Sequence, residues 1–200
     1  MRFSFINLVA FTAIVLLAAA LLSCGCSEDG TDFCLTALTE IDSIEKAADN
    51  RLKVMDFSNA DDIFLSQMGA SENQYREAID ELYNLGETPC LSGFSYEARV
   101  KSLQFKIDFL DVTSALIEAD SKAGAIFQTS TPEFRKGLIE VLNDYENIRQ
   151  RIIFLRIMGG DIDTTLLNPE FTGIIEVVDG KLAQILESVD SKVSFLREYK

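Results

Sequence analysis

The stretch Tyr96-Glu97-Ala98-Arg99-Val100-Lys101-Ser102-Leu103-Gln104-Phe105-Lys106-Ile107-Asp108-Phe109-Leu110-Asp111-Val112-Thr113-Ser114-Ala115-Leu116-Ile117 decides the fold. Tyr96, Val100, Leu103, Ile107, Leu110 and Ile117 recur at intervals of three, four and seven residues, which gathers them on one side of an α-helix. Phe105, Phe109, Val112 and Leu116 repeat in the same way but fall, at about 100° per residue, on nearly the opposite side. A helix on the outside of a simple bundle needs only one apolar face. The two stripes therefore leave two readings for this helix, expected from about Ser95 to Phe127. Either it is central and covered on both sides, or Phe105, Phe109, Val112 and Leu116 form an exposed interface for a protein partner or a second copy.

The flanks carry the same period. Upstream, Gly86-Glu87-Thr88-Pro89-Cys90-Leu91-Ser92-Gly93 holds a proline and two glycines and reads as a loop. Before it, a helix is expected from about Asp32 to Phe57, with Leu38, Ile41, Ile44, Ala48, Leu52 and Met55 on one face. A second runs from about Asn59 to Leu85 with Phe64, Met68, Tyr75, Ala78, Leu82 and Leu85. Ser71 and Gln74 have capping-box spacing, which marks Met68-Gly69-Ala70-Ser71 as a candidate break.

Downstream, Ser130-Thr131-Pro132-Glu133 combines capping-box spacing with a proline suited to a first helical turn. Phe134, Leu138, Val141, Tyr145, Ile148, Ile152 and Leu155 then follow in an unbroken seven-residue repeat, ended by Gly159-Gly160. Asn168-Pro169-Glu170 opens a last helix carrying Phe171, Ile175, Val178, Leu182, Ile185, Val189, Val193 and Leu196. Its register persists through Gly173 and Gly180, each a local cost of up to about 1 kcal/mol against alanine. Strand-like alternation of useful length and solenoid repeats are absent from the sequence. Long helices joined by short loops pack against antiparallel neighbours. The expected fold is all-α, an up-and-down antiparallel bundle of four or five helices forming one domain over residues 32–200.

Composition narrows the chemistry. The formal charge is −14, and beyond Cys24 the chain carries 17 basic against 32 acidic residues. Such a surface repels a phosphate backbone and gains nothing from anionic headgroups, so nucleic acid is not an expected partner. The chain contains no histidine, which removes histidine-based nucleophile systems and zinc sites and the Glu-x-x-His di-iron bundle together. No base and nucleophile pair stands out, no cofactor is implied and an enzyme is not expected.

The N-terminus says where the protein lives. Met1 and Arg2 precede the apolar run Phe3 to Leu22, whose only polar members are Ser4, Asn7 and Thr12. At ~1.5 Å per residue it just spans a bilayer core, and Ala18, Ala19 and Ala20 also offer small residues to a signal peptidase. Leu21-Leu22-Ser23-Cys24 resembles the lipobox of prokaryotic lipoproteins, with leucine three before the cysteine and a small residue directly before it; Leu22 departs mildly from the usual small middle residue. The resemblance covers the first two dozen residues. It implies that Cys24 receives lipid and becomes the new N-terminus, with residues 1–23 as the signal or anchor segment and 24–31 as a tether. A retained transmembrane anchor and plain secretion are the competing readings, and all three put the domain outside the cytoplasm, at the cell surface or in the periplasm.

Four further groups are weighed as sites. Asp161-Ile162-Asp163-Thr164-Thr165 begins like a calcium loop but has Leu166 where the turn glycine belongs and Thr172 in place of the closing glutamate, so a polar helix connection is expected. Arg149, Arg151 and Arg156 are expected to offset the dipole at the end of their helix. Tyr75, Tyr96 and Tyr145 lie on apolar stripes and either line a small-ligand pocket or reach the rim of the bundle with their hydroxyls. The cysteines Cys24, Cys26, Cys34 and Cys90 lack metal-site spacing; a disulfide suits an exported domain. Cys34 opens the first helix and Cys90 follows the second, so an antiparallel pair brings them to the same end and favours a Cys34–Cys90 bond. Cys26 on the tether is the competitor for Cys90.

The function these readings favour is a membrane-tethered, non-enzymatic bundle that binds another extracytoplasmic protein or itself. A small-ligand sensor or carrier with a pocket inside the bundle is the alternative.

Overall fold

A computed structural model describes residues 28–55, 62–86, 91, 93–127 and 131–199. Five helices follow one another there, as the apolar periods predict: α1 Glu28–Val54, α2 Asp62–Leu85, α3 Gly93–Ile126, α4 Thr131–Gly160 and α5 Pro169–Arg197. They form an all-α antiparallel bundle, with no strand among the described residues. None of these helices is long and apolar enough to cross a membrane. The apolar run at residues 3–22, the lipobox, Cys24 and Cys26, the start signal at Ser130 and Cys90 lie outside the described residues.

The stops and starts have local causes. Gly86 takes the left-handed conformation (φ 64°) that a side chain resists, and its N–H donates to the Leu82 carbonyl at 2.9 Å, closing α2. Asn168 caps α5 by accepting from the Glu170 N–H at 3.1 Å, with Pro169 pre-set for the first turn. α2 does not break at Met68-Gly69-Ala70-Ser71. Met68 and Ser71 are both buried, so tertiary packing overrides the local capping signal.

Side-chain pairs fix the order up-down-up-down-up. Asp49 of α1 meets Tyr75 of α2, Lys122 of α3 meets Asp144 of α4, and Arg156 of α4 meets Asp179 of α5. Further contacts are Arg51 on Gln74, Lys106 over Tyr75, Tyr96 on Tyr83, Phe105 facing Gly159, and Arg149 on Asp190. Between each helix and the next, one number rises as the other declines, the mark of antiparallel neighbours.

α3 is the central helix. It packs against α2, α4 and α5 and reaches α1 through Arg99 and Lys106. Leu103, Ile107 and Leu110 of one stripe and Phe105, Phe109 and Val112 of the other are buried alike, while Tyr96, Val100 and Ile117 of the first and Leu116 of the second are half-buried. The exposed-interface reading of Phe105, Phe109, Val112 and Leu116 is therefore corrected: neighbouring helices cover this face. α4 comes so close that a Cβ on Gly159 would stand 2.8 Å from Phe105 Cζ.

α1 and α2 do not run the whole length of this core. Lys46 pairs with Glu170 at 2.9 Å, and eight residues on from each, Val54 is level with about position 178 of α5. Asp62, thirteen residues back from Tyr75, is level by the same count with about position 186. The end of α3, the start of α4 and the last eleven or so residues of α5, about 16 Å at 1.5 Å per residue, run past the described part of the α1–α2 hairpin. Five helices thin to three at that end.

Candidate functional site

The core contains a group of charges that the stripes did not announce. Glu45 and Asp49, one turn apart on α1, face Arg99 and Lys106, two turns apart on α3. Lys106 Nζ donates to Glu45 Oε1 at 2.6 Å and to Asp49 Oδ1 and Oδ2 at 3.0 and 3.2 Å. Arg99 donates to Glu45 Oε2 from Nη2 at 3.1 Å and from Nε at 3.3 Å. Its Nη2 also stands 2.5 Å from Asp42 Oδ1, an ion pair too bent to count as a hydrogen bond. The Tyr75 hydroxyl donates to Asp49 Oδ1 at 2.7 Å. Phe171 of α5 lies under both cations, 5.1 Å from Arg99 Cζ and 5.4 Å from Lys106 Nζ.

Glu45, Asp49, Lys106, Tyr75 and Arg99 are all buried. Desolvation raises the Asp49 carboxyl above its ordinary range, with Lys106 opposing and Glu45 adding to the rise. Burial, followed by the facing Asp49, raises the Tyr75 phenol. The arrangement is closed and its members pair with one another, so a substrate has no approach to it. It acts instead on register: sliding α1 by one turn would set Ile41 against Lys106 and strand a buried carboxylate, a cost of several kcal/mol.

The three tyrosines do not share a pocket. Tyr75 belongs to the buried cluster. Tyr96 is half-buried and meets the Tyr83 ring edge-on at 6.4 Å. Tyr145 is buried and donates to Asp120 Oδ1 at 2.5 Å; burial and this carboxylate raise its phenol too. The expectation that tyrosine tips reach the rim fails for Tyr75, whose hydroxyl is paired inside the core.

The remaining candidates have structural roles. Asp163 accepts from the Thr165 N–H at 3.1 Å and its hydroxyl at 2.6 Å, capping a 3-10 turn over Thr164–Leu166. Arg149 and Arg156 do not sit in the last turn of α4; they pair with Asp190 and Asp179 of α5 at 2.6 and 2.9 Å. Cys34 is buried and disulfide-bonded, and the other three cysteines lie outside the described residues. Among the described residues no cluster of three or more Cys, Asp or Glu could hold a metal ion.

At the three-helix end, four aromatic side chains meet. Phe127 lies 5.7 Å from Phe134, 6.4 Å from Phe195 and 6.4 Å from Tyr199, and Phe195 lies 5.0 Å from Tyr199. Half of this surface is open: Phe127 is 50% exposed, Phe195 48% and Tyr199 53%. Beside it a cleft of about 370 Å³ runs between α3 and α5, bounded by Ala123, Phe127 and Phe195. Tyr145 and the Asp120–Lys192 ion pair at 2.6 Å also line it. Sequence reading placed Phe134 in the α4 stripe but passed over Phe127, Phe195 and Tyr199, which stand at helix ends outside the periodic stripes. The chain matches no protein-family model, no curated protein and no solved structure.

Proposed function

We propose that this protein is an extracytoplasmic lipoprotein, tethered through Cys24, whose bundle binds another protein by its aromatic tip and performs no catalysis. The observation that carries the reading is the cluster of Phe127, Phe195 and Tyr199, three large aromatic side chains about half exposed and in mutual ring contact. Contiguous apolar surface of this kind marks interaction sites, with aromatics enriched at their centres. Its position fits a tether. The chain enters α1 at the end where α3 and α5 begin, and the tip lies at the far end of α3, about 50 Å away for 34 residues at 1.5 Å each. A lipid at Cys24 would turn the tip away from its own membrane.

The small-ligand alternative loses ground, since the interior charges are sealed and Tyr75 gives its hydroxyl to Asp49 inside the core. Formaldehyde cross-linking in intact cells tests the proposal. A defined complex should form with the wild type and with Phe33→Ser, an exposed residue near the opposite end, and should disappear with Phe127→Ser/Phe195→Ser. A complex that survives the double change would refute the tip as the binding site.

A further inference from the structure

We infer that the tip seats one face of a short amphipathic helix of the partner protein, in the groove between α3 and α5; this rests on the partner-binding reading above. Nearer the tether the same groove already holds a helix of this chain. α1 lies there, fixed to α5 by Lys46 on Glu170 and to α3 by Glu45 and Asp49 on Lys106. α3 and α5 run in the same direction, and past the described hairpin residues they remain tied by Lys192 to Asp120. The groove keeps the form that accepts a helix after the described residues of α1 and α2 have ended.

The walls suit that occupant. Phe127 and Phe195 touch at 6.4 Å and bound the cleft on one side, and the small Ala123 leaves it open beside them, a depression into which a ridge of side chains on another helix inserts. The charged floor asks nothing of a partner, because Asp120 already accepts from Lys192 and Tyr145. The inserted face is therefore apolar, and the outer face, beside an acidic protein, is polar. The free length of α5 corresponds to about three helical turns, enough for anchors at i, i+3 or i+4, and i+7.

A second copy of the chain fits less well. Aromatic side chains bury 150–250 Å², so three of them half exposed offer about 300 Å² per copy, well below the roughly 800 Å² that each partner contributes to a stable interface. A helix lying in the groove also covers the walls of the cleft, which two tips meeting face to face do not.

Photocross-linking separates these outcomes. Phe127→p-benzoylphenylalanine and Phe195→p-benzoylphenylalanine are made singly in the full chain, expressed in its own cells and irradiated, and the adducts are mapped by mass spectrometry. The two rings lie 6.4 Å apart, close to the ~5.4 Å rise of one helical turn. Both positions should attach to one segment of one protein, at residues three or four apart, and Phe33→p-benzoylphenylalanine should not reach that segment. Attachment to a partner protein at alternating or scattered positions would overturn the helix and leave partner binding standing. Adducts joining two copies of this chain would overturn the helix in favour of self-association. Lipid adducts alone, or none from either position, would overturn both readings.

Discussion

Lys106 Nζ lies 2.6 Å from Glu45 Oε1 with both side chains sealed from solvent, a desolvated ion pair that joins α1 to the middle of the central helix. Lys106→Met would leave Glu45 and Asp49 buried near one another without their shared cation. Breaking such a pair from one side costs about 3–5 kcal/mol. Urea unfolding monitored by circular dichroism should show a midpoint lowered accordingly; a loss under about 1 kcal/mol would mean that the cluster relaxes or hydrates at little cost.

Tyr75 and Tyr145 set the alkaline limit. Each phenol is raised above its ordinary value of 10.0, first by burial and then by the carboxylate it donates to. A raised folded value means that the stabilisation is complete below the unfolded value of about 10 and is lost as pH climbs above it. These two groups should give stability no pH dependence near neutrality and make it fall above pH 10. Tyr75→Phe should flatten part of that fall. Absorbance titration of tyrosinate should show two groups ionising only with unfolding, and free titration of all five tyrosines in the folded state would contradict the burial.

The glycines in the helices divide by what stands opposite them. A Cβ at Gly159 would meet the buried Phe105 ring at 2.8 and 2.9 Å, whereas one at Gly180 meets nothing within 4 Å. Gly159→Ala should destabilise by about 1–3 kcal/mol through overpacking, despite the better helix propensity of alanine. Gly180→Ala should stabilise by up to about 1 kcal/mol. Thermal melts of the two variants should shift in opposite directions.

The architecture was legible because period, loop and cap signals agreed at most helix boundaries, the capping-box spacing of Ser71 and Gln74 inside α2 being the exception. Asn168-Pro169 marked the start of α5, and the heptad of α4 predicted which of its residues are buried. Side chains that break a stripe were the harder part. Glu45 and Asp49 adjoin Ile41, Ala48 and Leu52 on α1, and Lys106 stands between Phe105 and Ile107, in the gap between the stripes of α3 that faces α1. Two stripes leave two gaps on a helix, and nothing in the spacing says that the gap holding Arg99 and Lys106 is the one covered while that holding Gln104 and Asp108 stays open. Phe127, Phe195 and Tyr199 carried no periodic signal. Their exposure depends on α1 and α2 stopping short, a relation between helix lengths in space rather than a pattern along the chain.

The helix register extends to the disulfide. Asp49 is level with Tyr75, so ten residues back along α1 and ten forward along α2 set Thr39 level with Leu85, where α2 ends, and Cys34 is five residues further along α1 toward that end. Cys34 is bonded, and Cys90 is the expected partner. Peptide mapping without reduction should recover the two joined, and reduction should lower stability by roughly 4 kcal/mol in the chain-entropy model for so long a loop. A peptide joining Cys34 to Cys26 would contradict the pairing.

The proposed function divides the labour between aromatic side chains: those inside α3 would hold the bundle and those at the tip would bind the partner. The most direct test measures unfolding free energy and recovery of the cross-linked complex for Phe109→Ser and Phe195→Ser side by side. Phe109, fully buried, should cost about 3 kcal/mol or more by the scale of Phe truncations in cores. Phe195, about half exposed, should cost less than about 1 kcal/mol yet lose the complex. Equal losses of stability from the two, or a complex that persists in Phe195→Ser, would contradict the account.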